Sequence, residues 1–265
     1  MGCTKLTEII GIETWNVSQI KTFQNMFNNC QLLSNFSFVK SWDMSSAENI
    51  AGMFSKTGVE TMSFPPMPNI TNMGSIYENC TKLKVPPITT FGNAEKPNKS
   101  IYYGQMYQGT KFTIDNNIIW KIKGKCDLYR AFCLNTNSRE FNVLWETDEV
   151  VNMPGLFCET KNTVTSLKTI NLTSCGETIF QGYFFGGVGT QENRALTTLE
   201  CTGTQSYSLN LSLYPNLSKE SLLNVINCLC TTTETLQLAL GSTNLSKLSA
   251  DEIKIATDKG WSVIA

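Results

Sequence analysis

The sequence predicts an α/β repeat solenoid of about seven short units, closed by a C-terminal cap of αβαβ order. Three observations carry this expectation. An apolar-aromatic residue pair recurs along the first 185 residues, an alternating apolar stretch follows most of the pairs, and the last quarter switches to capped amphipathic helices.

The pairs are Met26-Phe27, Met53-Phe54, Ile76-Tyr77, Met106-Tyr107, Ala131-Phe132, Leu156-Phe157 and Phe184-Phe185, spaced 27, 23, 30, 25, 25 and 28 residues apart. Phe23, Ile50, Met73, Tyr103, Leu128 and Met153 stand three residues before their pairs, and only Gln181 breaks the row. Apolar residues at i, i+3 and i+4 predict one face of a short helix. Trp15, Trp42, Trp120 and Trp145 each stand eleven residues before a pair. Their regular spacing places each tryptophan as packing at the turn into its helix.

After each turn the period changes. Phe36 and Phe38, Met62 and Phe64, Phe112 and Ile114, Phe141 and Val143, and Ile170 and Leu172 alternate with polar residues. Period two predicts a short strand with one buried face. A single unit of this kind cannot bury its apolar side alone, so neighbours must stack, which aligns the strands into a parallel sheet. The intervals lie close to the leucine-rich-repeat range, which predicts a right-handed stack of that type. The longest interval contains the polar insertion Gly92–Ser100.

The expected domains are the repeats, residues 1–210, and a capping module, residues 211–265. In the module, Leu217–Leu229 reads as a helix with Ser218 as N-cap, Thr235–Leu240 as a strand ended by Gly241, Leu248–Gly260 as a helix with a Ser249/Glu252 capping box, and Trp261–Ile264 as a last strand. Such a module would cover the end of the stack.

Composition narrows the function. With net charge −1 there is no basic field for nucleic acid, and no apolar run reaches the length of a membrane span. The N-terminal residues lack an apolar signal-peptide core, so either export by the general route is not expected or a leader is missing. The chain has no histidine, which removes Ser-His-Asp and Cys-His nucleophiles and mixed Cys/His zinc sites. Ten cysteines are present, widely spaced and without a CxxC pair, and they are expected to be mostly free thiols acting as small buried hydrophobes. No catalytic, cofactor or metal residue is assigned. Glu146-Thr147-Asp148-Glu149 is the one acidic cluster that glycoside hydrolysis could use, and it reads more simply as a solvated turn. Gly186-Gly187-Val188-Gly189 lacks the lysine of a phosphate-binding loop. Tyr102 remains as a lone ligand candidate.

If a recognition surface exists, the alternation places it on the outward face of the sheet: Asn35, Ser37, Thr61, Ser63, Lys82, Lys84, Lys111, Thr113, Glu140 and Asn142. Their mixed character suits a protein or glycan partner. A second surface is expected at the N-terminal end. Cys3-Thr4-Lys5-Leu6 aligns with Cys80-Thr81-Lys82-Leu83 and with Cys30-Gln31-Leu32-Leu33. The chain therefore starts inside a repeat, and this uncapped end is expected to dock on another subunit or to continue into a segment absent from the chain.

These residues also carry a resemblance. Trp15-Asn16-Val17-Ser18 through Met26-Phe27-Asn28-Asn29-Cys30 and Leu33, and Asn69-Ile70-Thr71-Asn72-Met73 through Cys80 and Leu83, closely resemble the repeat of BspA-like leucine-rich-repeat proteins. Trp42-Asp43-Met44-Ser45 through Met53-Phe54 matches in part, and the likeness weakens from Met106 onward. The C-terminal residues resemble a module that closes such repeats in phage and gut-bacterial proteins. The resemblance implies adhesion or partner binding at a bacterial surface or in a phage particle, without naming a ligand or transferring any binding residue. The leading expectation is a non-enzymatic virion component, tail or fibre-associated. The alternatives are a bacterial cell-surface adhesin and a carboxylate-based glycan hydrolase.

Overall fold

The computed structural model describes residues 2–115, 117–147, 149, 151–160, 163–175 and 192–265. Within them the chain is an α/β protein of short parallel strands and few helices, and successive repeat units lie hydrogen-bonded side by side in chain order.

The helices expected at the Met-Phe pairs do not form. Each pair lies in a run of tight turns, with backbone N–H groups pointing alternately inside the unit and across to the next. In the first unit Met26, Asn28 and Cys30 donate to Phe23, Asn25 and Phe27, each at 3.1 Å. Phe23, Asn25, Phe27 and Asn29 donate instead to Asn49, Ala51, Met53 and Ser55 of the second unit, at 2.8–3.0 Å. This pattern recurs unit by unit as far as Leu128, Arg130, Phe132 and Leu134, which donate to Asn152, Pro154, Leu156 and Cys158. What breaks the helix is a left-handed residue two places before and two places after each aromatic. Asn25 and Asn29, Gly52 and Lys56, Ser75 and Asn79, Gln105 and Gly109, Arg130 and Leu134, and Gly155 and Glu159 all have positive φ. Asn and Gly take this conformation at low cost. A helix of two turns is costly to nucleate, and the turn run satisfies the same backbone groups through its neighbour.

The aromatics form one stacked row. Ring centroids of Phe27–Phe54, Phe54–Tyr77, Tyr77–Tyr107, Tyr107–Phe132 and Phe132–Phe157 are 5.9, 6.0, 5.6, 5.7 and 5.5 Å apart, with planes tilted by 18° or less. The Phe184-Phe185 pair and Gly186–Gly189 lie outside the described residues. Three residues beyond each aromatic runs a second buried row: Cys30, Thr57, Cys80, Thr110, Asn135 and Thr160. Within the row the Thr110 hydroxyl donates to Tyr107 O and accepts from Asn135 Nδ2. Burial pushes the Cys80 thiol above its ordinary pKa, and that of Cys126 up to about 12.

The regular elements are β1 (Thr90–Phe91), β2 (Ile101–Tyr102), β3 (Ile119–Ile122), β4 (Cys126–Asp127), β5 (Glu140–Trp145), β6 (Val151–Asn152), β7 (Ser166–Asn171), α1 (Leu172–Cys175), β8 (Thr198–Thr202), β9 (Leu209–Asn210), α2 (Lys219–Cys228), β10 (Gln237–Ala239), α3 (Gly241–Leu245), α4 (Ala250–Asp258) and β11 (Ser262–Ile264). One parallel sheet has the order β1-β3-β5-β7-β8 and another β2-β4-β6. The second is prolonged toward the N-terminus by single bridges Thr22–Asn49, Asn49–Asn72 and Asn72–Tyr102. The strand expected at Phe141 and Val143 is β5, and Ile170 lies in β7, but Leu172 begins α1. Phe112 and Ile114 reach only an isolated bridge, Ile114–Ser138. Phe36 precedes and Phe38 lies within a 3₁₀ turn, Ser37–Ser41, because Asn35 Oδ1 accepts from Ser37 N and bends the chain. Met62 and Phe64 stay unpaired in front of Pro65 and Pro66, which have no N–H to give a ladder.

The tryptophan row also needs correcting. Trp42 and Trp120 are buried, but Trp15 is about half exposed (49%) and Trp145 lies partly at the surface. Trp120 pairs with Val143, and Trp145 with Ile122. The chain advances four residues from Ile122 to Cys126 but six from Trp145 to Val151, although those ends are in register. The longer loop moves Trp145 off the Trp120 position.

The C-terminal module follows its pattern closely, with one addition. Ser218 caps α2 by accepting from Ser221 N, and Ser249 and Glu252 form a reciprocal capping box on α4. Gly260 has φ 91°, as a residue just past a helix end requires. The short α3 was not expected, so the order after residue 211 is αβααβ. β10 lies between β9 and β11 in a parallel sheet, so β9, just before the expected boundary at residue 211, pairs with the module. The cysteine expectation fails at one pair: Cys133 and Cys158, next to stacked aromatics of adjacent units, form a disulfide with Cα atoms 4.5 Å apart. Parallel register brings equivalent residues of neighbouring units together, which wide sequence spacing conceals.

Candidate interaction surface

The polar residues singled out by alternation are exposed or half-buried, but they do not share one sheet face. Only Glu140 and Asn142 lie on a strand, β5. The structure divides the rest into groups. Asn35, Ser37, Thr61 and Ser63 line one open hollow of about 560 Å³, with Lys40 and Glu60 at its rim. Lys84 and Thr113 line another of about 490 Å³ with Asp115 and Ile119. Lys84 Nζ lies 2.5 Å from Glu60 Oε2. The hydrogen bond and charge of Lys84 hold the Glu60 carboxyl below its ordinary range, and Lys82 adds a weaker pull in the same direction. The backbone carbonyl of Lys111 accepts from Asn137 Nδ2. Glu140 is 3.9 Å from Lys168, and Asn142 Oδ1 accepts from Thr169. Glu60 thus ties the first hollow to Lys82 and Lys84, while Lys111, Glu140 and Asn142 stand apart with local partners.

Two other candidates have structural roles. The Tyr102 ring lies over Gly74 and Gly104, where any Cβ would strike it. Its row is otherwise Thr22, Asn49, Asn72, Asp127 and Asn152. Of these, Thr22, Asn49, Asn72 and Asp127 accept from the N–H two residues on and so start the turn run. Tyr102 cannot do this, and covers the glycines instead. Of the acidic cluster, Glu146 is 3.2 Å from Lys123, and Asp148 lies outside the described residues.

Alternation gave no sign of a further, more apolar hollow at the first unit. It has a volume of about 880 Å³ and is lined by Trp15, Val17, Ile20, Thr22, Phe23, Gln24 and Met26 of the first unit. Trp15, Ile20 and Met26 are 49%, 42% and 36% exposed. The signal available was their place in the first repeat, since equivalent residues farther along are covered by the unit before. Among the described residues no group of three or more Cys, Asp or Glu is placed to hold a metal ion, and no helix is long and apolar enough to cross a membrane.

Residues 2–111 match the model of a family described as Mycoplasma protein of unknown function, DUF285. This is the repeat type to which the sequence resemblance points. The chain is similar to that family over less than half its length, through the first four Met-Phe turn runs. No curated protein and no solved structure matches the chain.

Proposed function

We propose that the chain is a non-enzymatic structural and attachment protein, a right-handed solenoid that presents its polar edge to a protein or surface glycan. The observation that carries this reading is the convergence of Asn35, Ser37, Thr61 and Ser63 in one open hollow, joined through Glu60 to Lys82 and Lys84. The turn runs beside it are hydrogen-bonded from unit to unit. The setting that fits best is a virion, with a bacterial cell surface as the alternative; what supports it is the sequence resemblance of the repeats and of the C-terminal residues. The apolar hollow at the first unit is the proposed dock for a protein subunit.

Immunogold labelling of particles and of host cells tests the setting. Label confined to the cell interior would overturn it. Binding to a panel of cell-surface glycans and host envelope proteins tests the edge. Lys82→Glu and Lys84→Glu combined should weaken binding at least tenfold, and retained binding would remove the edge from the proposal. Release of reducing sugar from any glycan in the panel would overturn the non-enzymatic reading.

A further inference from the structure

The backbone polarity of the first unit defines what can dock there. Between neighbouring units the turn-run bonds go one way: N–H groups of one unit donate to carbonyls of the next. The carbonyls of Thr22, Gln24, Met26 and Asn28 correspond to those of Asn49, Ala51, Met53 and Ser55, which accept from the first unit. Among the described residues nothing donates to these first-unit carbonyls. Their N–H groups face elsewhere. That of Gln24 donates to Thr22 Oγ1, and those of Met26 and Asn28 donate within the run.

Gly2 lies against Asn28, where a Cβ on Gly2 would strike Asn28 O, which leaves Thr22, Gln24 and Met26 as the open part, and these three residues line the apolar hollow. The segment after Gly2 already follows the repeat path. Leu6 N donates to Cys3 O at 3.0 Å, as Leu33 N does to Cys30 O and Leu83 N to Cys80 O. The closing turn of one more unit is therefore in place beside a site shaped for its turn run.

We infer that this face binds a partner polypeptide carrying a turn run of the chain's own repeat type, laid parallel, with N–H groups of alternate residues donated to Thr22, Gln24 and Met26 and an apolar side chain in the hollow. The inference rests on the docking surface proposed above and specifies its occupant. Polarity also rules out a symmetric dimer through this face, because two runs of carbonyls meeting face to face have no donors between them. Strand addition of this kind draws affinity from the main chain and selectivity from the pocket.

The test uses the 265-residue chain and a fluorescein-labelled peptide of its own residues 46–58, whose donors in the native ladder are Ile50, Gly52, Phe54 and Lys56. The peptide should bind, and methylating the backbone nitrogens of Gly52 and Phe54 should weaken it at least tenfold. Met26→Arg, at an exposed position, should weaken it similarly without shifting the unfolding midpoint. Equal binding of the methylated peptide would sink the ladder while sparing the docking surface. No binding of either peptide, with association unchanged by Met26→Arg, would remove the surface itself. A dimer seen by sedimentation and abolished by Met26→Arg would overturn the polarity argument. Glycan or envelope-protein binding at the polar edge is unaffected by Met26→Arg in every case, which separates this test from that of the function.

Discussion

The first three units and the three that follow share one side and differ on the other. Turn runs, left-handed residues and stacked rings repeat almost unchanged from Phe27 to Phe157. On the opposite side the early units have a 3₁₀ turn, unpaired extended chain and only the two-residue β1, whereas the later ones build the longer β3, β5 and β7. The early connections hold Asn35, which turns the chain back on itself, and Pro65, Pro66, Pro68, Pro86 and Pro87, which cannot donate to a ladder. The later ones hold Ile119-Trp120-Lys121-Ile122 and Phe141-Asn142-Val143, rich in β-formers and alternating in burial along the strand. The comparison teaches that the turn side sets the stacking register, and the sheet forms where composition allows.

The strongest way to break this comparison is to cut the shared side. Phe132 is fully buried between Tyr107 and Phe157. Phe132→Ala should destabilise the chain by about 3–5 kcal/mol, as for other large-to-small changes in a packed interior. Denaturant unfolding checks it, and an unchanged midpoint would mean that the ring row does not hold the units together.

The sequence made the turn side legible as a register but not as a conformation. Met-Phe spacing located every described run, yet i, i+3, i+4 periodicity cannot tell a helical turn from linked tight turns. The distinguishing residues were present: Asn25 and Asn29, Gly52, Asn79, Gly109 and Gly155 all tolerate left-handed backbone. Lys56, Arg130 and Leu134 give no such hint, and their N–H groups donate to the neighbouring unit. The C-terminal module was legible nearly to the residue because capping is local, as Ser249 and Glu252 show. The polar surface was read as exposed but not as grouped, since Lys84 meets Glu60 only through the stack.

The disulfide sharpens the comparison at the later units, where it ties neighbouring turn runs across a separation of 25 residues. Closing a loop of this size in the unfolded chain contributes about 2–4 kcal/mol. Cys158→Ser should lower stability by that amount in an oxidised sample and change little in a reduced one. Peptide mapping without reductant should show the Cys133–Cys158 cross-link. Finding both thiols free would restore the expectation of free cysteines for this pair.

The capping module offers a contrast in which local capping sets the helix ends. Ser249→Ala removes the N-cap of α4 and should cost about 1 kcal/mol. The Glu252 carboxylate is held below its ordinary range, first by the Ser249 backbone N–H and then by Lys219. Its folded pKa being the lower one, this contribution is complete above the ordinary value near 4.5 and is lost as pH falls below it. Helical signal at 222 nm should therefore begin to fall below about pH 4.5, and Glu252→Gln should flatten that loss. An identical acid limb in the variant would separate Glu252 from it.

The smallest effect has the most informative sign. Leu134 has φ 60° at the last ladder position of its unit, and its side chain is 44% exposed. A β-carbon is unfavourable in left-handed backbone, so Leu134→Gly should relieve strain. It also frees the unfolded chain, which offsets part of the gain, and the net expectation is stabilisation of about 0.5 kcal/mol. In a helix the same change would cost about 1 kcal/mol, because glycine is a poor helix former. The two accounts of the turn run thus predict opposite signs from one exposed substitution, and urea unfolding resolves a difference of that size. Leu134→Ala supplies the control, since alanine keeps the left-handed strain and would favour a helix. Glycine above alanine in midpoint supports the turn ladder, and alanine above glycine overturns it.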